Sequence, residues 1–100
     1  MSSAPEDWPF DQGPNVAAVS DAAVVVDRAP ILLVVHYSDD DSWGFFSGAE
    51  FSPEQGKVIA MKSALALDPT LRTIGDLPPG WTAERSRAGG DWVRQRDPDV

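Results

Sequence analysis

The arrangement of apolar and polar residues predicts its clearest element near the middle of the chain. Residues 31–37 form an apolar run rich in branched side chains, which is typical of a strand buried on both faces. The run ends at Asp39, Asp40 and Asp41, and the aromatic segment 43–46 follows at once. This pattern predicts a hairpin in which an exposed acidic turn joins two buried strands.

Weaker patterns predict further elements on both sides of this hairpin. The pattern favours strands at residues 15–19, 57–60, 81–85 and 92–96, and helical turns at residues 20–26, 61–67 and 69–74. Asp68 and Pro69 favour a helix start, because an aspartate oxygen caps free N–H groups and proline fits the first helical position. We expect an α+β fold, with a small antiparallel sheet of about five strands and one or two short helices on one face.

Changes in composition predict the limits of the domain. Residues 1–14 combine prolines with acidic side chains, which is typical of a flexible N-terminal arm. Residues 15–96 are expected to form a single α+β domain, and residues 97–100 a tail. Trp8 and Phe10 lie in the arm. We expect them to dock on the domain rather than to serve as a partner-binding segment, because a pair of exposed aromatic side chains is costly.

Composition narrows the classes of function. The chain has 100 residues, sixteen acidic against eight basic side chains, and a net charge of −8. This charge disfavours binding to nucleic acid or anionic membranes, and favours either solubility alone or a basic protein partner. The absence of cysteine excludes disulfides, thiolate catalysis and zinc–sulfur sites. The pattern shows neither a signal peptide nor an apolar run of the ~20 residues that cross a bilayer, so we expect a cytoplasmic protein.

The acidic turn partly matches a calcium-binding EF-hand loop. Residues at five positions of that loop pattern are Asp39, Asp41, Gly44, Ser47 and Glu50. Trp43 occupies a ligand position without offering an oxygen. The preceding run favours a strand, and Pro53 breaks a helix after the loop, whereas an EF-hand needs a helix on each side. Calcium binding is therefore disfavoured, and it stays as an alternative.

No pattern for catalysis is present. His36 is the only histidine, which excludes metal sites built on several imidazoles. A general base oriented by Asp39 or Asp40 is conceivable, but a histidine packed at the end of a strand is the favoured interpretation. The chain has neither a nucleophile elbow nor a glycine-rich phosphate loop. We expect a protein that is not an enzyme and has no cofactor.

The last part of the chain is rich in arginine. Four arginines lie between residues 85 and 96, and these are Arg85, Arg87, Arg94 and Arg96. With Trp81 and Trp92 they form a predicted hairpin that has the residue types of a single-strand nucleic-acid surface. The net charge favours an intramolecular role instead, in which the arginines stack on tryptophan and pair with acidic side chains.

The segment 41–48 carries a family resemblance. Its residues Asp-Ser-Trp-Gly-Phe-Phe-Ser-Gly, following a strand and an acidic turn, resemble the hallmark of the immunity-protein-33-like domains of bacteria. Asp68-Pro69, Gly80-Trp81 and Arg85 stand in the order that the family pattern requires. The resemblance implies an α+β fold, no catalytic residues and, in some members, neutralisation of a cognate protein toxin.

These considerations predict a small acidic soluble binding protein, a monomer or homodimer, whose partner is a basic protein toxin. The predicted partner surface consists of Asp39, Asp40, Asp41, Trp43 and Glu50. The alternatives are a domain that binds a small ligand or calcium, and an accessory domain that stabilises a neighbouring protein.

Overall fold

The computed structural model describes residues 8–48 and 56–100, which form one six-stranded sheet with short helical segments. The strands are β1 (Ala17–Asp21), β2 (Leu33–His36), β3 (Trp43–Phe46), β4 (Gly56–Ala60), β5 (Trp81–Glu84) and β6 (Val93–Arg96). The helical segments are α1 (Ala22–Val25), α2 (Met61–Leu67) and a 3-10 helix (Pro69–Ile74). The predicted α+β class and the predicted hairpin of β2 and β3 are confirmed.

The sheet differs from the prediction in strand number and in direction. The strand order is β4-β1-β3-β2-β5-β6, and β1 runs parallel to β3, whereas the other neighbouring pairs are antiparallel. The sheet is therefore mixed and has six strands, not an antiparallel sheet of about five. The parallel pair arises because the chain passes through α1 and β2 before β3 returns beside β1. The local pattern of apolar and polar residues cannot predict a pairing between strands that are this far apart in the sequence.

Two aspartates cap helical segments, as the sequence predicted for Asp68. The carboxylate of Asp21 accepts the Val24 N–H at 2.9 Å, and its second oxygen accepts both the N–H and the hydroxyl of Ser47 at 3.0 Å. Asp21 therefore joins the start of α1 to the end of β3. Asp68 accepts the Thr70 N–H at 3.0 Å, with Pro69 in the first turn of the 3-10 helix. Both carboxylates satisfy N–H groups that a helix start leaves without partners.

The core is aromatic near β3. Trp43 and Phe45 are fully buried, and Phe10 from the N-terminal segment packs edge-on against Trp43 with ring centroids 5.0 Å apart. His36 stacks on Trp43 at 4.1 Å. All four residues of β3 and three of the four residues of β2 are buried, so side chains on both faces of these central strands belong to the core, as the sequence predicted for β2.

Residues 8–13, which we call the N-terminal segment, lie against the domain. Phe10 is only 6% exposed, and the Trp8 indole N–H donates to the Gln12 carbonyl at 2.7 Å. The Gln12 amide in turn donates to the Asp41 carbonyl at 3.1 Å. The expected docking of Trp8 and Phe10 is thus confirmed, whereas residues 1–7 of the predicted arm lie outside the described residues.

Gly75 leaves the space that this docking needs. A Cβ atom at this position would collide with the Pro9 carbonyl oxygen and would lie 2.9 Å from the Pro9 carbonyl carbon and Cβ. Because the obstacle is backbone, a side chain here must displace the N-terminal segment. We expect Gly75→Ala to lower the free energy of unfolding by about 1–3 kcal/mol, as overpacking commonly does. Chemical denaturation measures this cost.

Gly13→Ala provides the matched control. A Cβ at Gly13 would meet its nearest neighbour, Val16, at an ordinary 3.9 Å. This variant should change the unfolding free energy by less than about 0.5 kcal/mol. Equal stability of the Gly75→Ala variant and the unaltered protein would show that Pro9 does not pack there.

Candidate functional site: an acidic end of the sheet

The turn between β2 and β3 presents three exposed aspartates, Asp39, Asp40 and Asp41. The Tyr37 N–H donates to the Ser42 carbonyl at 2.9 Å and closes the turn at its base. Asp41 adopts a left-handed conformation with φ of 60°, which aspartate tolerates better than most residues. The turn thus holds its carboxylates in water above the buried strands.

Hydrogen bonds keep one of these carboxylates charged. The Ser42 hydroxyl donates to Asp40 at 2.7 Å and the Ser42 N–H at 3.1 Å, and these bonds lower the pKa of the Asp40 carboxyl. Burial, and then the charges of Asp39 and Asp40, raise the pKa of Tyr37. The turn is therefore an anionic surface at neutral pH, with Asp40 ionised to a lower pH than an ordinary aspartate.

The last residues of the chain add two further carboxylates. The Asp97 N–H donates to the Gly80 carbonyl at 2.8 Å, and the Ser38 hydroxyl donates to the Val100 carbonyl at 2.7 Å. These bonds place Asp97 and Asp99 beside the turn. These two aspartates are not part of the partner surface predicted from the sequence, because only the pairing of β6 with β5 carries them to this end.

Asp11 reaches the same end from the N-terminal segment. One carboxylate oxygen accepts the Trp43 indole N–H at 3.0 Å, and the other lies 3.6 Å from Nε2 of His36. The Asp11 side chain is 50% exposed, whereas His36 is 2% exposed. The isolated sequence gives no signal for this placement, because 32 residues separate Asp11 from Trp43.

We call this group of six carboxylates the acidic end. Its members are Asp11, Asp39, Asp40, Asp41, Asp97 and Asp99. Among the described residues, Asp11 is the only one of them with an ion-pairing partner, and that partner is His36. Arg96 ends β6 directly before Asp97 and is the basic residue nearest to this end in the register of β5 and β6. The fold thus gathers an excess of unpaired negative charge.

One residue of the sequence-predicted partner surface does not share this exposure. Trp43 has no exposed surface, since it is covered by Phe10 and His36 and pinned by Asp11. It supports the turn from below and offers no side-chain surface to a partner. Glu50 lies outside the described residues. The acidic turn is therefore the part of the predicted partner surface that the structure places on the outside.

The turn lacks the two flanking helices of an EF-hand. β2 and β3 flank it, so strands stand where the calcium-binding motif has helices. Ser47 lies beyond the far end of β3, where it donates to Asp21 and not toward the turn. Among residues 8–48 and 56–100, no three histidine, aspartate or glutamate side chains converge as a metal site does.

The opposite end of the sheet contains a buried arginine. Arg85 forms an ion pair with Asp68, and its guanidinium also donates to the Ile31 carbonyl from two nitrogens at 2.9 and 3.1 Å. It stacks on Trp92 at 4.1 Å. Arg94 pairs with Asp76 at 2.8 Å. The intramolecular role predicted for the arginines is confirmed for Arg85 and Arg94.

Two adjoining depressions lie around this arginine, with volumes of about 420 and 490 Å³. Thr70 and Gly89 line both, so the depressions form one shallow cleft between the 3-10 helix and the connection from β5 to β6. The Arg85 head group on the wall of this cleft is already engaged by Asp68 and Ile31. The Arg85 guanidinium is therefore not free to bind a ligand in this cleft.

Comparisons of the chain with protein-family models, with curated proteins and with solved structures found no match. The resemblance to immunity-protein-33-like domains therefore stays a prediction that rests on residues 41–48. Within the described part of the chain, no helix has the length and apolar character needed to cross a membrane.

Proposed function

We propose that this chain is a cytoplasmic binding protein whose acidic end docks on a basic surface of a partner protein. The observation that carries the proposal is the exposed, unpaired state of the turn aspartates, which the tail aspartates reinforce. Such a surface attracts a positively charged partner over distance and selects against acidic ones. The family resemblance extends the proposal to a specific role, in which the partner is a protein toxin and this chain is its antidote.

The rigid base of the turn supports this role. Trp43 and the register of β2 with β3 hold the turn in one conformation, so little conformational entropy is lost when the turn binds. The proposal involves recognition only, and it assigns no bond-making step to His36 or to the aspartates.

Charge reversal of the turn tests the proposal. A variant with Asp39, Asp40 and Asp41 all changed to lysine should associate with its partner at least about ten-fold more slowly at low salt, because long-range attraction is lost. The partner is first identified by cross-linking in native cells. It is then purified, and its association rate is measured at two ionic strengths.

A second triple variant controls for net charge. Asp27, Glu84 and Asp91 are exposed and lie away from the acidic end, so changing them to lysine alters the total charge equally. This control should associate nearly as fast as the unaltered protein, and circular dichroism should show both variants folded. Equal slowing by the two triple variants, or no slowing by either, would contradict a specific role for the turn.

A further inference from the structure

The sheet ends in two edge strands, β4 and β6. β4 pairs with β1 in a continuous antiparallel register from Gly56 to Ala60, without a bulge. Its sequence has no proline, and Lys57 is its only charged residue. A regular edge with so little charge readily accepts another strand, because its outer N–H and C=O groups still need partners.

The hydrogen bonds of β1 show which groups of β4 point outward. The Met61 N–H donates to the Val16 carbonyl at 2.9 Å, which continues the register of the two strands. Hydrogen-bonded pairs alternate along an antiparallel ladder, so Ile59 and Lys57 bond to β1. The N–H and C=O of Val58 therefore point away from the sheet, and no described residue bonds to them.

The side chain at the centre of this edge is also exposed. Val58 is 74% exposed, more than any other large apolar residue in the described part of the chain. An apolar side chain and unpaired backbone groups thus occur at the same residue. Pairing with a second strand would cover both.

The opposite edge differs in its charge. The Asp97 N–H donates to the Gly80 carbonyl, so the alternation directs the backbone groups of Arg94 and Arg96 outward. Pairing two copies of β6 in register would place arginines opposite each other, which is unfavourable. Charged side chains of this kind are a common protection of edge strands against pairing. β4 lacks such protection.

β4 is complementary to a second copy of itself. In an antiparallel pair with a two-fold axis at Val58, the Val58 side chains of the two copies face each other and exchange two main-chain hydrogen bonds. Lys57 then lies opposite Ile59, and Gly56 opposite Ala60. No like charges face each other in this register, and all five residues of the strand are paired.

We propose that two copies of this chain associate through β4 and form one continuous sheet of twelve strands, six from each copy. The two-fold contact uses the same edge of both copies, so it ends at the dimer and does not continue into a fibre. A contact between two short strands is smaller than a standard interface, so we expect a weak dimer with a dissociation constant on the order of 100 μM. This inference does not depend on the proposed partner.

Salt should strengthen this dimer. Each copy has a net charge of −8, so the two copies repel each other over distance, whereas no ion pair holds the β4 contact together. Raising the NaCl concentration from about 0.05 M to about 0.5 M screens the repulsion and should lower the dissociation constant. The opposite effect is expected for the acidic end, whose attraction to a basic partner weakens with salt.

Two valine variants test the interface. Sedimentation equilibrium of the full chain, from about 10 μM to about 1 mM, gives the dissociation constant. Val58→Lys should raise it at least about ten-fold, because two ammonium groups would face each other across the axis. Val93→Lys is the matched control, since Val93 is a 63% exposed valine on the other edge strand and the change in charge is the same. Its dissociation constant should stay within about two-fold of that of the unaltered protein.

A second pair of variants tests the main-chain pairing. Val58→Pro removes an outward N–H, and proline is tolerated where an edge strand faces solvent. Val58→Thr keeps both the N–H and the branched shape. Circular dichroism should show both variants folded, and only Val58→Pro should abolish the dimer. In the unaltered protein, exchange of the Val58 amide hydrogen should slow as the protein concentration rises, whereas exchange of the Ile59 amide should not change.

Three results would overturn the proposal. The first is a monomer at every concentration, including the case in which β4 amides become protected only when another protein is added, since the edge would then belong to a foreign strand. The second is equal weakening of the dimer by Val58→Lys and Val93→Lys. The third is exchange of the Val58 amide that does not depend on protein concentration.

Discussion

Replacing Trp43 with alanine is expected to lower the free energy of unfolding by about 3–5 kcal/mol, the cost of removing a large buried aromatic side chain. The side chain has no exposed surface and lies between Phe10 and His36. The substitution also removes the N–H that holds Asp11. For a chain of this size the loss corresponds to a melting temperature lower by more than about ten degrees.

Trp43→Phe is the companion variant. Phenylalanine keeps most of the buried volume and the stacking on His36, but it has no N–H for Asp11. Trp43→Phe should lower the free energy of unfolding much less than Trp43→Ala does. Its main effect should be weaker attachment of the N-terminal segment, because the hydrogen bond to Asp11 is lost. Denaturant unfolding monitored by circular dichroism gives both values. A cost below about 1 kcal/mol for Trp43→Ala would show that Trp43 is not part of the core.

The second large effect is expected at Arg85. Its side chain is 1% exposed and its ion-pair partner Asp68 is 15% exposed. Arg85→Met leaves the Asp68 carboxylate without its cation and the Ile31 carbonyl without its side-chain donors. Removing one member of a buried pair costs about 3–5 kcal/mol, because the remaining charge is uncompensated. We expect a loss of that size in urea denaturation.

Two variants separate the charge of Arg85 from its shape. Arg87→Met changes an exposed arginine two residues away and should cost less than about 0.5 kcal/mol. Arg85→Lys keeps the charge, but a single ammonium group cannot reach Ile31, Thr70 and Asp68 together, so it should restore only a small part of the stability. Full stability of the Lys variant would show that charge alone matters at this position.

The arginine also explains why the cleft beside it is not our candidate site. A ligand could bind to unoccupied hydrogen-bond donors on the cleft wall. The Arg85 guanidinium, however, already donates to Ile31, Thr70 and Asp68. The guanidinium thereby ties β5 to the residues that precede β2 and to the 3-10 helix. Its role is to join elements that are distant in sequence. The sequence predicted that the arginines pair with acidic side chains, but it did not identify Asp68 as the partner of Arg85.

Local elements were predicted well because their causes are local. Asp21 and Asp68 cap helical segments through N–H groups two or three residues away, so the sequence contains both partners. Gly80, which follows Pro78-Pro79, has a φ of 82°, a left-handed conformation that glycine adopts without steric cost. The pairing of β2 with β3 follows from two apolar runs around a short acidic turn, since a hairpin needs little else.

The composition of the acidic end was predicted only in part. Asp39, Asp40 and Asp41 adjoin one another in the chain, and their exposure follows from the turn. Asp11 and Asp97 lie at opposite ends of the chain and reach the turn through contacts with Trp43 and Gly80. No periodicity links them, because each contact spans a long stretch of chain.

The sequence alone determined the class of fold, the local elements and the acidic character of the turn, since these depend on side chains within a few residues of one another. The tertiary structure decided that β1 pairs with β3, that Trp43 supports the turn from inside, and that His36 faces Asp11. These features depend on contacts between distant parts of the chain. Such contacts form only when the whole core packs. Local preferences are compatible with several arrangements of the strands, and the energy of packing selects one of them.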